Sequence, residues 1–418
     1  MASPMFAGIR VLDMATAGTA PLALRWMGDH GATVVKVETH LRLDMIRMGG
    51  PFYHMVTHPD YSGWEMMFNS SKYSISLNLN KQEARDVLKR LIAEWQPNIL
   101  AESFRPGVMK RWGLEYESVR QLSPDIIYYS TCLEGQYGPH SQRLGFGTVT
   151  NSICGASHLV GSADRPPAGA PLAYADFPST GTALVALMGA LIRQRRTGKG
   201  VHIDQSQYES NLYVLSGPLM DYAVNRRVMT RNGNRVPYAA PHGVYPCAGD
   251  DRWVAIAVFN DQEWERFCEV LGSPGWSREA RFATLQGRKS NEDELDRHVG
   301  DWTSGREAGD VEALMQAGGI AANVVVDNKD IYDDVQLKHY GHFREIEHPV
   351  VGKVRSETPP FRFSKSRDTH FRAPLIGEHN HLVLSQFLGM SDDEIADLYA
   401  NGAVTTEADL PSVGKKAD

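Results

Sequence analysis

Short apolar runs alternate with helical repeats along the first third of the chain. "IRVLDM" (Ile9–Met14) and "TVVKVE" (Thr33–Glu38) are β-rich runs of strand length. Between them, "PLALRWMGDHGA" has helical spacing that stops at Gly31. "KQEARDVLKRLIAEW" then sets Ala84, Val87, Leu88, Leu91, Ile92 and Trp95 on one helical face. "NILAES" (Asn98–Ser103) and "DIIYYS" (Asp125–Ser130) are further strands. This order predicts an α/β fold: a Rossmann-like large domain with a mostly parallel sheet and helices on both faces. Ligands of such sheets bind at the strand-end loops.

A helix over Pro178–Arg195 has almost no polar face, so it is expected to be buried. "RRTGKG" ends it with basic residues and Gly198. "VHIDQSQYESNLYVLSGPLM" reads as a strand and a helix. The turn-rich stretch "NRRVMTRNGNRVPYAAPHGVYPC" leads into a smaller α+β domain, where "WVAIAVF" is a strand and "QEWERFCEVLG" a helix. "GKVRSETPPFRFS" reads as strand and turn, and "LSQFLGMSDDEIADLYANGAV" as two closing helices. The texture shifts again near residue 340. The polar tail after Thr405 is expected to fray.

Composition narrows the function. The 418 residues call for two domains, and 42% hydrophobic content supplies their cores. A net charge of −7 with both signs interspersed disfavours a general nucleic-acid binder, though not a local basic pocket for an anion. Cys132, Cys154, Cys247 and Cys268 are far apart, as free thiols in a reducing cytosol would be. Neither a signal peptide nor a membrane-spanning run is legible, so a cytoplasmic protein is expected.

The chemistry converges on Asp176. A plain helix cap explains an Asp followed by Pro. A carboxylate at the mouth of so apolar a segment also suits a nucleophile: burial raises its pKa, and the helix end favours its ionised form. Phe104, Arg105 and Arg111 in "ESFRPGVMKRWG" follow a strand end, where an aromatic face and guanidinium groups suit an adenine and phosphates. Lys72 in "NSSKYSISLNLN", an alternating strand behind a polar loop, reads by default as a solvated lysine. "TAGTAPLA" lacks the GxGxxG spacing of a dinucleotide site. His54 and His58 lack a third acidic ligand, so no metal is assigned.

The segments "GIRVLDMATAGTAPLA", "GATVVKVE", "NSSKYSISLNL", "ESFRPGVMKRWGLEYE", "GQYGP", "ADFPSTGTALVALMGALIRQRRTGKG", "HGVYPC" and "RAPLIGEHNHLVL" occur in this order up to about residue 385. Together they resemble the class III coenzyme A transferase family, of the formyl-CoA and carnitine-CoA transferase or CaiB/BaiF type. The resemblance implies that Asp176 is the nucleophile, passing through a mixed anhydride and an aspartyl-CoA thioester. It implies that Ala17 and Gly18 flank the pantetheine, and that Leu77 and Asn80 contact the nucleotide. Ser103, Phe104 and Arg111 would meet adenine and phosphates, and Phe146 would sit close to the catalytic acid. Lys36, Lys72 and Arg105 complete the expected coenzyme-binding set. The resemblance also implies the division of the chain: 1–205 for the large domain, 206–225 for a linker helix, 226–340 for the small domain and 341–418 for a return to the large one.

No tightly bound cofactor is implied. The expected partners are acyl-CoA, a carboxylic acid such as an aromatic or dicarboxylic acceptor for a succinyl-CoA donor, and a second subunit. That subunit would be a copy in an interlocked dimer or a paralogue in a hetero-oligomer. Thr39 replaces a basic residue used on phosphate by some members, Gly18 replaces a Gln, and a Gly-rich lid before "HGVY" is missing. The related 2-methylacyl-CoA racemases carry His-Asp where this chain has Phe146 and Gly147, so a racemase here would lack a base. A non-catalytic acyl-CoA-binding subunit is the other alternative, against which the intact Asp176 stands.

Overall fold

The computed structural model describes residues 3–411. Six strands form one sheet: β1 (Arg10–Asp13), β2 (Thr33–Glu38), β3 (Tyr73–Ser76), β4 (Ile99–Glu102), β5 (Ile127–Cys132) and β6 (Val201–Ser206). Their order is β3-β2-β1-β4-β5-β6, and every pairing is parallel. Successive residues point to opposite faces. Val11, Val34, Ile99, Ala101, Ile127 and Tyr129 join Ala20, Leu24, Met27, Ala183 and Leu187 of the helices Thr19–Asp29 and Asp176–Thr197 on one side. Leu12, Val35, Val37, Leu100 and Tyr128 pack on the other side against Val87, Leu88, Leu91, Ile92, Val383, Leu384 and Leu398. Both faces are covered, as a parallel sheet requires.

The chain divides into two compact units. The first holds the described residues up to Ser157, Ala170–Val228 and those from Lys338 onward; the second holds His158–Gly169 and Met229–Leu337. The sequence reading placed 158–169 with the large domain. In the structure this segment groups with the second unit, where Gly233 N–H donates to Gly161 O at 2.8 Å. The second unit is built on the antiparallel strands β7 (His242–Pro246), β8 (Trp253–Ala257) and β9 (Ala321–Val324). Its core is formed by Trp264, Phe267, Phe282, Leu295, Val299, Val311 and Met315. In the first unit the chain from Lys338 adds the hairpin β10 (Phe343–His348) and β11 (Gly352–Glu357) and the Asp392–Ala400 helix.

Three expectations change. The Asp176–Thr197 helix buries Thr180, Ala183, Leu187 and Leu191, but Val185 is 75% and Ile192 53% exposed. Only one face of this helix meets the sheet, so its apolar back is open in a single chain. Thr405 does not begin a frayed tail: it is buried, and its hydroxyl accepts from His40 N–H at 3.2 Å. The remaining tail beyond 411 lies outside the described residues. Tyr73–Ser76 is not an alternating strand, because Ser74, Ile75 and Ser76 are all buried.

Candidate active site

The strand order reverses between β1 and β4, so the loops leaving these two strands diverge and open a crevice. They are knit together there: Thr16 N–H donates to Ser103 Oγ at 2.8 Å, and Ser103 Oγ donates to Thr16 O at 3.1 Å. Ala17 takes a left-handed conformation at φ 63°, which is unfavourable for a side chain with a Cβ. Its N–H is held by Asp44 Oδ1 at 3.1 Å. The same Asp44 caps the short Met45–Met48 helix through Ile46 N–H and receives the Lys36 ammonium on Oδ2 at 3.2 Å. One buried carboxylate thus ties the β1 loop, β2 and the loop after β2.

A cavity of about 340 Å³ opens against these loops. Its walls include Thr16, Lys36, Leu77, Asn80, Phe104 and Phe146. Phe104 meets Trp112 edge-on, with ring centroids 5.3 Å apart, which gives the cavity an aromatic corner. Burial opposes the Lys36 charge, but Asp44, Asp13 and Glu38 hold its pKa above the ordinary lysine value. Its ammonium uses two donors, on Ala15 O and Asp44.

Asp176 is not among the residues that line this cavity, but two of the lining loops pass beside it: Gly18 lies two residues beyond Thr16, and Gly147 follows Phe146. A Cβ on either glycine would fall 2.9 Å from Asp176 Oδ2. The carboxylate is therefore clasped between two positions that lack side chains. Oδ1 accepts from Thr19 Oγ1 at 3.2 Å. The turn before Asp176 is pinned by two buried amides. Asn151 Oδ1 accepts from Ala175 N–H at 2.9 Å, and Asn211 Nδ2 donates to Ala175 O at 3.0 Å. Burial pushes the Asp176 pKa up to about 6, and the Thr19 hydrogen bond opposes part of that rise. No capping hydrogen bond starts this helix, so the cap reading of Asp176 has no support in the geometry.

The expected coenzyme residues divide accordingly. Lys36, Leu77, Asn80, Phe104 and Phe146 share the cavity. Ala17, Gly18 and Ser103 shape its loops. Arg105 and Arg111 are exposed and do not line it. Lys72 requires correction: it is neither solvated nor available to a ligand. Its ammonium is fully buried and spends all three N–H donors, each at 2.8 Å, on Asp13 Oδ2, Pro21 O and Asn69 Oδ1. Sequence reading missed Arg42 and Trp112, which line the cavity, and Thr19, Asn151, Gln207 and Asn211 around the acid. Arg42 lies three residues beyond Thr39 on the same loop, so the missing base at Thr39 was a signal to search nearby. Among the described residues no cluster of metal-ligating side chains occurs, and no helix is long and apolar enough to cross a membrane.

The chain is similar to known proteins over most of its length. The sequence profile of CoA-transferase family III matches residues 6–380. Succinyl-CoA–D-citramalate CoA-transferase of Chloroflexus aurantiacus is 27% identical, covering 95% of this chain and 97% of its own. Human succinyl-CoA:glutarate CoA-transferase is 29% identical, covering 95% of this chain and 89% of its own. The crystal structure of a CAIB/BAIF family protein from Brucella suis superposes with a TM-score of 0.83 at 28% identity, covering 92% of this chain and 100% of that one. With the profile spanning both units and the parallel sheet shared with a solved relative, the chain belongs to CoA-transferase family III and is an enzyme of the class III CoA-transferase type.

Proposed function

We propose that this enzyme moves coenzyme A from an acyl-CoA donor to a free carboxylic acid by covalent catalysis at Asp176. The carboxylate attacks the thioester carbonyl, and the CoA thiolate leaves a mixed anhydride. The thiolate returns to the aspartyl carbonyl and frees the donor acid, leaving an aspartyl-CoA thioester. The acceptor carboxylate displaces the thiolate, which then takes the acceptor acyl group. The observation that carries this reading is the position of Asp176: a half-buried acid beside two loops that line the cavity, clasped by Gly18 and Gly147, with one oxygen hydrogen-bonded and the other accepting no hydrogen bond among the described residues. Burial shields an anhydride from water and brings the acid's pKa near neutrality, which strengthens it as a nucleophile.

The cavity suits the coenzyme. Phe104 and Trp112 offer a face for adenine, while Lys36 and Arg42 offer cations for phosphate. The succinyl-CoA transferases among the relatives favour succinyl-CoA as donor and a dicarboxylic acid as acceptor. The open apolar back of the Asp176–Thr197 helix favours a homodimer. A racemase reading has less support, because among the described residues no second acid or histidine contributes to the shift of Asp176.

The test is Asp176→Ala with a panel of acyl-CoA donors. Transfer is expected to vanish while acyl-CoA still binds, and mass spectrometry of the wild-type enzyme is expected to place CoA on Asp176. Transfer at near wild-type rate in the variant would overturn the mechanism.

A further inference from the structure

The two oxygens of Asp176 are not equivalent. Oδ1 accepts from the Thr19 hydroxyl at 3.2 Å. Among the described residues Oδ2 accepts no hydrogen bond, and it faces Gly18 and Gly147. The Thr19 hydroxyl is itself held, because Gln207 Nε2 donates to it at 3.0 Å. A threonine hydroxyl has one proton. With the Gln207 amide on one of its lone pairs, that proton is turned toward Asp176, whose own carbonyl oxygen lies farther away at 3.4 Å. Gln207 is fixed in turn: Asn211 Nδ2 bonds both Gln207 O and Ala175 O, joining the turn that carries Gln207 to the residue before Asp176. Thr180 Oγ1 closes the far side, within hydrogen-bond reach of Asp176 O at 2.9 Å and Thr19 O at 3.1 Å. One hydroxyl, Thr19, thus meets the carboxylate oxygen, and Gln207 from a distant stretch of chain orients it.

Resting on the reading of Asp176 as nucleophile, we infer that Oδ2 is the oxygen that bonds to the acyl group and that Thr19, oriented by Gln207, is the oxyanion donor to Oδ1. When Oδ2 attacks the thioester, the carbon–sulfur bond breaks and the thiolate leaves with its electron pair. Oδ1 stays on Cγ as the carbonyl oxygen. When the thiolate attacks Cγ, the carbonyl pair moves onto Oδ1, where the Thr19 proton meets it. Collapse re-forms the carbonyl and expels Oδ2 with the donor acyl group as a carboxylate. Attack of the acceptor carboxylate on Cγ puts charge on Oδ1 again. No step gains or loses a proton, so Thr19 acts as a fixed donor and not as a general acid. A donor aimed at the site of developing charge is favourable here because it needs no reorientation during the reaction. Thr19 is therefore a catalytic residue and Gln207 a positioning residue.

The experiment compares Thr19→Val, Thr19→Ser, Gln207→Met and the Val/Met double variant in steady-state transfer. Loss of one oxyanion donor predicts a fall in kcat of about 10²–10³-fold for Thr19→Val, with KM for acyl-CoA little changed. Thr19→Ser, which keeps the hydroxyl, should recover most of the rate and shows whether position 19 tolerates change. Gln207→Met should lose about 10-fold, on the order of one lost ordering hydrogen bond. The double variant should be no slower than Thr19→Val, because Gln207 acts through Thr19.

The acid limb of the rate profile should also rise in Thr19→Val. The carboxylate's neighbours Gly18, Thr19, Gly147 and Ala173 are not ionisable, and no charged side chain contributes to its shift. A Thr19→Val kcat within threefold of wild type, or losses that multiply in the double variant, would overturn the assignment. Asp176→Ala separates the two layers. If it is inactive while Thr19→Val is active, only the Thr19 role falls; if it retains transfer, the nucleophile itself is wrong.

Discussion

Asp176 and Gly147 share one small space: a Cβ on Gly147 would lie 2.9 Å from the carboxylate Oδ2 and 2.7 Å from the Ala173 methyl. Neither Gly147 nor Gly18 has a positive φ, so an alanine at either position meets crowding and not backbone strain. Gly147→Ala is expected to displace the carboxylate and lower kcat/KM by about 10²-fold, as a misplacement near 1 Å does. The fold should survive, with an unchanged circular dichroism spectrum. Wild-type kinetics in Gly147→Ala would show that the space beside Oδ2 is not needed.

The titration of Asp176 predicts opposite trends for rate and stability. In the proposed mechanism only the ionised acid attacks, so kcat/KM should rise with pH through a limb near the pKa of about 6 and level above it. The folded carboxyl binds its proton more tightly than the unfolded one, whose ordinary value is 3.8. Between those values the native state holds more protons, so stability falls as pH rises from below 4 to above 6. The ionised acid then costs on the order of 3 kcal/mol above pH 6. Asp176→Asn should therefore raise the melting temperature at pH 7.5 and leave it nearly unchanged at pH 3.5. Equal shifts at both pH values would contradict this.

Lys72 is expected to matter for folding and not for coenzyme. Its removal takes the ion-pair partner, 2.8 Å away, from a fully buried Asp13 and leaves that carboxylate with the Ala15 N–H on Oδ1 and the Lys36 charge farther off. Lys72→Met should cost about 3–5 kcal/mol. Adding Asp13→Asn should recover part of that loss by removing the stranded charge. Urea denaturation measures both, and KM for acyl-CoA in whatever protein folds should stay near wild type.

Arg42 is expected to do what Thr39 cannot. It lines the cavity beside Thr39 and Asn80 on an exposed loop. Arg42→Ala should raise KM for acyl-CoA by about 10-fold with kcat unchanged, the signature of lost uniform binding. The penalty should shrink at high salt, where the wild-type contact is itself screened. Equal KM values for the two proteins at low salt would remove Arg42 from the coenzyme site.

The exposed apolar side chains predict an oligomer. Val185, Tyr213 and Val224 are 75%, 78% and 71% exposed on the helices Asp176–Thr197, Gln207–Val214 and Ser216–Asn225. Analytical ultracentrifugation should find a dimer, and Val185→Glu with Val224→Glu should weaken it. A monomer at micromolar concentration in the wild type would refute the homodimer.

The sequence by itself determined the strand set of the parallel sheet and pointed to Asp176 as a candidate. Apolar periodicity is a local property: "TVVKVE" is strand wherever it pairs, and Thr33–Glu38 is observed as β2. Asp176 was legible because one acid in so apolar a segment is conspicuous. Tertiary structure alone decided what surrounds each side chain. Lys72 looks solvated in a polar loop, yet the fold places it on Asp13, 59 residues away. Thr19 looks like a small turn residue, yet it meets Asp176 across 157 residues and Gln207 across 188. Strand order and register set those meetings, and neither is written in the spacing of neighbours along the chain.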